Sequence, residues 1–248
     1  MDVDTYEDYL PETYEPDKLQ QMYEDLAMPT AVTDKLHDYL QAMVNLYGRI
    51  SVKEAHRLIK RDVDITMDQF LSYYGIVRHE EALFFIVGEE NMYSDIDVPT
   101  PPQDWEIIEQ SLGLFPEEYY ELVDQQAGKP LYEPSPDELL RYVDPDYVEP
   151  KKPFTMLVNA MKKCFDLTVE EVENEVYDIR SELQAGELFN NIVSSIAATQ
   201  TFNSESDLNL FLNALQEFGN NTRMWFNRGY TPEEMTANMP ISNRIPKE

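Results

Sequence analysis

The chain has 248 residues and is therefore long enough to bury one large core or two small ones. Of these residues 42% are hydrophobic and 12% aromatic, so most of the chain should fold. Its 48 Asp and Glu residues outnumber 19 Lys and Arg residues, which gives a formal net charge of -29. A negative field of this size repels nucleic-acid phosphates and anionic membranes and therefore argues against direct binding to either.

Cysteine and histidine usage excludes several kinds of site. Cys164 is the single cysteine, so neither an internal disulfide nor a cysteine-based zinc cage is expected. His37, His56 and His79 lack the spacing that places two imidazoles on one metal. Walker A and G-x-S-x-G motifs are absent, and we expect no catalytic, metal or cofactor site. No apolar run approaches the ~20 residues that span a bilayer, which predicts a cytoplasmic protein.

Residues 1–30 form a predicted acidic N-terminal arm. They contain nine acidic residues and four tyrosines but a single lysine. This mixture of acidic and aromatic residues suits an arm that covers a basic or apolar surface. The simpler interpretation is a partly ordered tail.

Residues 31–96 predict a winged-helix-like domain, because three amphipathic helices precede a β-hairpin. Gly48 ends the first helix. The apolar faces of the three helices run from Leu36 to Tyr47, from Val52 to Ile59 and from Met67 to Tyr74, and a short extended step precedes the second helix in RISVKEAHRLIKR. The two strands are predicted at Ile76–Arg78 and Leu83–Val87.

Residues 97–153 are rich in proline and acidic residues, which predicts a connector with short helices. These helices are expected at Trp105–Leu112, Pro116–Gln125 and Pro136–Tyr142. Residues 154–248 predict a C-terminal helical bundle, because apolar residues recur there at a 3.6-residue period. Its helices are expected at Phe154–Phe165, Thr168–Gln184, Glu187–Thr199 and Glu205–Phe218. The fold class is therefore mainly α.

Five helix starts match the S/T-x-x-E/Q capping box, in which two side chains satisfy free backbone amides. The five pairs are Ser51–Glu54, Thr66–Gln69, Ser135–Glu138, Thr168–Glu171 and Thr231–Glu234. Cys164 falls on the apolar side of its predicted helix, which favours a buried structural thiol over a reactive one.

The stretch NNTRMWFNRGYTPEEM, residues 220–235, concentrates cationic and aromatic groups in an otherwise acidic chain. One interpretation is a partner-binding patch formed by Arg223, Trp225, Arg228 and Tyr230, since Trp and Arg are frequent interface anchors. The favoured alternative is a helix end with Gly229 in a left-handed conformation. Trp225 would then continue the apolar line of the preceding helix into the core, and Arg223 and Arg228 would flank it on the surface.

Several segments resemble a broad family of uncharacterised proteins from low-GC Gram-positive bacteria. NNTRMWFNRGYTPEEM is similar to the family's closing segment, and YLQAMVNLYGRISVKEA, GEENMYSD and GKPLYEPSPDELLRYVD are similar to its middle region. The resemblance covers roughly residues 33–235 and implies a winged helix followed by a helical bundle without an assigned activity. Many relatives carry a SEC-C zinc-binding motif, but its Cys/His cluster is absent here, so that metal-linked role is not carried over.

Charge decides whether a winged helix would bind DNA. The predicted recognition helix, Thr66–Gly75, carries one Asp and neither Lys nor Arg. The preceding helix region carries Lys53, Arg57, Lys60 and Arg61, but this patch must overcome the negative field of the chain. We therefore expect no binding to duplex DNA at physiological salt.

Together these features predict a non-catalytic, cytoplasmic protein-binding or adaptor protein that uses an acidic surface, with a basic protein as its partner. The alternative is an inhibitor from a phage or mobile element that imitates nucleic-acid phosphates and occupies the DNA groove of a defence enzyme. Carboxylates spaced like phosphates along one face would favour the mimic, and scattered carboxylates would favour the adaptor.

Overall fold

The computed structural model describes residues 10–92, 98–149 and 151–238. Within these residues the chain is mainly helical and has one small antiparallel sheet of three strands. The prediction of a mainly α fold is therefore confirmed. No helix in this described part of the chain is long and apolar enough to cross a membrane.

The residues group into two compact units that are interleaved along the sequence. A short segment before residue 133 belongs to the second unit, although the residues on both sides of it belong to the first. The first unit comprises Met1–Asp124 and Glu133–Pro145, and the second comprises Gln125–Tyr132 and Asp146–Glu248.

The first unit begins with α1 (Pro16–Leu26) and α2 (Thr30–Tyr47). Helix α1 lies within the predicted arm and buries none of its residues, whereas α2 is the centre of the core. Part of the predicted arm, Pro16–Leu26, is thus helical, and residues 1–9 lie outside the described residues. Gly48 ends α2 at a φ of 69°, as the sequence predicts.

Two capped helices follow, α3 (Val52–Ile59) and α4 (Met67–Val77). The Ser51 hydroxyl accepts a hydrogen bond from the Glu54 amide, and Thr66 forms the complete reciprocal box. Both helix starts are therefore confirmed, because each depends only on side chains and amides within one turn.

The predicted β-hairpin is wrong. Ile76 and Val77 form the last turn of α4, where both side chains are buried, so their β-branched shape does not make them a strand. Strand β2 (Phe84–Val87) lies within the predicted second strand, but its partner comes from much later in the chain.

The middle strand of the sheet lies in the predicted connector. With β1 (Arg49–Ser51) and β3 (Glu106–Glu109), the sheet has the order β1-β3-β2, and both pairings are antiparallel. Ile107 faces Ile50 on one side and Ile86 on the other. The helix predicted at Trp105–Leu112 is therefore wrong over its first half, since buried β-branched residues favour the strand.

The rest of the first unit consists of short elements around this sheet. The helices predicted at Pro116–Gln125 and Pro136–Tyr142 are confirmed, and the second of them packs on α2, where Asn45 Nδ2 donates to the Tyr142 carbonyl at 2.8 Å. The elements are α5 (Glu89–Met92), a 3-10 turn at Pro102–Asp104, α6 (Gln110–Leu114), α7 (Pro116–Gln126), α8 (Pro136–Leu139) and a 3-10 turn at Leu140–Val143.

The described residues of the second unit form helices and no strand, and all four long helices predicted for it are confirmed. Their apolar faces form one core, in which Leu157, Val176, Phe211 and Leu215 are fully buried. The capping boxes at Thr168 and Thr231 are also present. The helices are α9 (Lys151–Cys164), α10 (Val169–Ala185), α11 (Phe189–Thr199), α12 (Glu205–Asn220) and α13 (Pro232–Asn238).

Candidate functional site

The stretch after α12 is a tight loop rather than an extension of the helix. The chain leaves α12 at Asn220, makes one 3-10 turn at Trp225–Asn227 and then reaches α13. Arg228 and Gly229 take positive φ values of 53° and 84°. The left-handed conformation predicted for Gly229 is therefore confirmed, and Arg228 shares it without the freedom of a glycine.

Trp225 does not occupy the core position that the sequence favoured. Its side chain is partly exposed, whereas the neighbouring Met224 is 5% exposed and packs in the core of the second unit. The helix ends before Thr222, so the 3.6-residue period that would have carried the apolar line to Trp225 is lost. The Trp225 carbonyl accepts a hydrogen bond from Gln126 Nε2 at 2.8 Å.

Arg223 is enclosed within the second unit, where only 8% of it is exposed. Its Nε donates to Glu149 Oε2 at 2.9 Å, and its Nη1 donates to the Gly229 carbonyl at 2.9 Å and to Glu234 Oε2 at 3.0 Å. The guanidinium carbon lies 3.6 Å from the centroid of the Tyr132 ring. We call these acceptors and this ring the Arg223 cage. The expectation that Arg223 flanks Trp225 on the surface is wrong, because the cage uses its donors internally.

Arg228 and Tyr230 contact the same earlier segment of the second unit, Gln125–Tyr132. Arg228 Nη1 donates to the Lys129 carbonyl at 3.2 Å, and the Tyr132 amide donates to the Arg228 carbonyl at 3.0 Å. The Tyr230 ring stands edge-on to that of Tyr132, with centroids 5.4 Å apart. The four predicted side chains thus belong to one loop that contacts Gln125–Tyr132. Their role in partner binding stays a prediction.

Cys164 is a buried thiol, as the sequence predicts. It is 1% exposed, and its Sγ lies 3.3 Å from the Asp207 carbonyl oxygen, to which it donates. Burial raises the pKa of the Cys164 thiol, and the neighbouring Asp207 charge raises it further. The thiolate that would attack an electrophile or bind a metal is therefore disfavoured.

The histidines have separate structural environments. His56 is 9% exposed and its Nε2 lies 3.1 Å from the Ile65 carbonyl, while the His79 ring stacks on Tyr14 with centroids 3.9 Å apart. Within residues 10–92, 98–149 and 151–238, no group of three or more His, Cys, Asp or Glu side chains is placed to hold a metal.

A concave site lies in the first unit, where the sequence predicted none. It is a cavity of about 580 Å³ between α1, α2 and the end of α4, within the roughly 300–1,000 Å³ of small-ligand pockets. We call it the acidic groove. Its chemically important lining residues are Tyr23, Glu24, Asp34, His37, Tyr73 and Glu80.

Carboxylates from three parts of the unit face this groove. Glu24 comes from α1, Asp34 from α2, and Glu80 from the segment after α4. Among the described residues that line it there is no lysine or arginine, and His37 Nδ1 lies 3.7 Å from Glu80 Oε2. The Tyr23 hydroxyl donates a hydrogen bond to the Glu80 carboxylate, and burial followed by this bond raises the pKa of Tyr23. The groove therefore concentrates negative charge and acceptors.

Tyr73 contributes a buried polar atom to the groove. The residue is 1% exposed, and its hydroxyl has no hydrogen-bond partner. The Tyr73 ring lies in the groove lining with its centroid 6.3 Å from that of Tyr23. Burial raises the pKa of Tyr73, and the nearby Tyr23, Glu80 and Asp34 raise it further. A buried hydroxyl without a partner is costly and needs an explanation.

The sequence contained one signal for this groove. The acidic and aromatic residues of 1–30 suggested an arm that covers another surface. Helix α1 lies in this arm and does line the groove, together with Tyr73 of α4. The remaining lining residues come from α2 and from the end of α4, and their meeting depends on how the three helices pack. The spacing of residues along the chain does not predict how these helices pack together.

Comparison of the chain with protein-family models, with curated proteins and with solved structures found no match. The resemblance to the Gram-positive family therefore stays a prediction.

Proposed function

We propose that the protein is a non-catalytic, cytoplasmic binding or adaptor protein whose partner is a protein with a basic surface. We further propose that its first unit is a winged helix. The order α2-β1-α3-α4-β2-β3, with α5 and a 3-10 turn inserted between β2 and β3, and the sheet order β1-β3-β2 support this assignment, because a winged helix places its three helices and three strands in that order. The fold by itself decides no function, so the charges of the unit carry the argument.

The observation that carries the proposal is the pairing of cations around α3 with carboxylates of the same unit. Lys53 Nζ lies 2.6 Å from Asp104 Oδ1, and Arg57 Nη1 lies 2.6 Å from Glu133 Oε1. Arg61 also lies 3.9 Å from Glu133. Cations that already face carboxylates are poorly placed to neutralise phosphates, on which DNA affinity depends.

The helix that would enter a DNA groove supports the same conclusion. Helix α4 exposes Asp68, Gln69 and Ser72, and none of these side chains carries positive charge. Long-range attraction therefore favours a basic protein surface, which the negative field would steer toward the chain.

The proposal is tested by capturing partners of the full chain from its source cell, identifying them by mass spectrometry, and measuring binding of the purified proteins. We expect direct binding to a basic protein that survives nuclease treatment and weakens as salt is added. Capture that depends on nucleic acid would contradict the proposal. So would sub-micromolar binding of duplex DNA by the purified chain, weakening with salt in a gel shift.

A row of carboxylates on α10 favours the phosphate mimic as a second candidate. Glu175, Asp178 and Glu182 are spaced three and four residues apart on this helix. At that spacing the Cβ atoms of neighbouring residues lie about 5–6 Å apart. Burial and then Asp178 raise the pKa of Glu175, and the pKa of Glu182 is also raised by burial and by its acidic neighbours. This candidate requires that the captured partner bind DNA and that the chain displace that DNA. Displacement should then fall when the three residues are changed to their amides.

A further inference from the structure

We propose that the acidic groove binds the guanidinium group of an arginine side chain presented by the protein partner. The inference rests on the proposed function and specifies the chemistry that the groove would recognise. It is carried by four features of the first unit and of the Arg223 cage.

The first feature is uncompensated negative charge. Glu24, Asp34 and Glu80 approach the groove from three different elements, and its described lining residues include no Lys or Arg. His37 is the one lining residue that protonation can make positive. Gathering like charges around a concave surface is unfavourable unless a cation enters, and low-dielectric walls strengthen the attraction for that cation.

The second feature is the unpartnered hydroxyl of Tyr73. Tyr73 is a buried residue of the groove lining and lies beside Tyr23, so a donor that enters the groove can supply the hydrogen bond that the unit itself does not. Tyr74 provides a useful contrast on the same helix. Its hydroxyl is also buried without a partner, but it lies outside the groove lining.

The third feature is that the same chain assembles similar groups around an arginine of its own. The Arg223 cage offers two carboxylates, a carbonyl oxygen and the face of Tyr132. The acidic groove offers three carboxylates, the Tyr73 hydroxyl and the Tyr23 ring. Both sets suit a planar guanidinium with five donors better than an ammonium, whose three donors diverge from one atom.

The fourth feature is strain at the edge of the groove. Ala27, which lines it and joins α1 to α2, has a φ of 52°. The left-handed conformation is unfavourable for alanine, because its Cβ crowds the following carbonyl oxygen. Backbone strain of this kind gathers at binding sites, where it holds the groups of the site in place before a ligand arrives.

The test uses the full chain and the blocked tripeptide Gly-Arg-Gly as the probe. Amide NMR during the titration should show shifts concentrated at Asp34, His37, Tyr73 and Glu80. The matched probes Gly-Lys-Gly and Gly-citrulline-Gly separate guanidinium recognition from general attraction to positive charge and from shape. We expect the arginine probe to bind about tenfold more tightly than either, as the loss of a charged hydrogen bond implies.

Two pairs of variants locate the binding. Asp34→Asn removes a groove carboxylate, and its control Asp25→Asn removes the same charge from α1 outside the groove lining. Tyr73→Phe removes the groove hydroxyl, and its control Tyr74→Phe removes the other unpartnered one. We expect each groove variant to weaken binding about tenfold and each control to leave it unchanged.

The outcomes separate this inference from the proposed function. Equal weakening by Asp25→Asn and Asp34→Asn would show that the whole acidic surface attracts the probe and would overturn the groove site. Equal binding of the lysine and arginine probes would overturn the guanidinium assignment. If a basic partner binds the chain with the same affinity after Asp34→Asn and Tyr73→Phe, the proposed function stands and this inference fails.

Discussion

The Arg223 cage and the acidic groove are built from the same kinds of side chain, but only the cage contains its cation. In the cage, Glu149 and Glu234 both accept hydrogen bonds from Arg223. In the groove, Glu24 and Asp34 stand with tyrosines and without any described lysine or arginine in the lining. The first arrangement is satisfied within its unit, while the second leaves negative charge and a buried hydroxyl without compensation.

This difference separates groups that stabilise a fold from groups kept for a ligand. A buried charge that is fully paired fixes its surroundings, and removing one partner is costly. Carboxylates gathered without a cation reduce stability, and natural proteins tolerate such costs mainly at functional sites. The contrast therefore predicts opposite responses: substitutions in the cage should destabilise the protein, and substitutions in the groove should not.

Removing the arginine from the cage is the strongest test of this contrast. We expect Arg223→Met to lower the free energy of unfolding by about 2–4 kcal/mol, because it leaves Glu149 and Glu234 without their buried partner. Urea denaturation measures the change. The control is Arg57→Ala, since Arg57 is half exposed beside Glu133 and its pair is worth less than about 1 kcal/mol. Equal small losses in both variants would refute a stabilising role for the cage.

Truncating Trp225 tests whether the loop depends on the cage or on its tryptophan. Because Trp225 is partly exposed and follows the end of α12, we expect Trp225→Ala to cost about 1–2 kcal/mol, below the ~3–5 typical of buried aromatics. Leu215→Ala, at a fully buried position, should cost about 2–5 kcal/mol in the same thermal or urea denaturation. A loss for Trp225→Ala as large as that for Leu215→Ala would return Trp225 to the core.

Removing the unpartnered hydroxyl from the groove should raise the stability of the folded protein. Tyr73→Phe removes a buried hydroxyl without a partner, so we expect the free energy of unfolding to rise by about 1 kcal/mol. Tyr74→Phe should behave alike in denaturation, because its hydroxyl is also buried and unpartnered. The two variants should differ only in arginine binding. Destabilisation by Tyr73→Phe would mean that its hydroxyl is satisfied in the folded chain.

The smallest effect is expected at the strained turn beside the groove. Ala27→Gly relieves a φ of 52° but gives the unfolded chain more freedom, so the two terms nearly cancel to within about 0.5 kcal/mol. Ala31→Gly, an exposed position on α2 without this strain, should cost about 0.5–1 kcal/mol. Identical losses in urea denaturation would show that the turn stores no strain.

The helices could be predicted from the sequence because their determinants are local. A capping box such as that of Thr66 and Gln69 acts within one turn, and apolar periodicity marks each buried face. The sheet could not be predicted, because β2 pairs with a strand separated from it by a proline-rich segment. Short apolar runs such as Ile76–Val77 suit a helix end as well as a strand, and only packing decides between them.

The two sites show the same limit. The sequence identified the loop and the left-handed Gly229, but it favoured a buried Trp225 and an exposed Arg223, and the structure reverses both. Burial of Arg223 depends on Tyr132 and Glu149, which are distant along the chain. The groove was missed for a similar reason, because no single segment contains enough of its residues to form a recognisable motif.

The interleaving of the two units has a consequence for synthesis. Gln125–Tyr132 leaves the ribosome before Glu133–Pro145, which the first unit needs, yet it belongs to the unit made last. Tyr132 must therefore wait for Arg223 and Glu234 before its surroundings are complete. Contacts so far apart in sequence form late, because the intervening chain must first be ordered. A chain truncated after the first unit would still contain Gln125–Tyr132 but would lack the helices of the second unit that this segment supports.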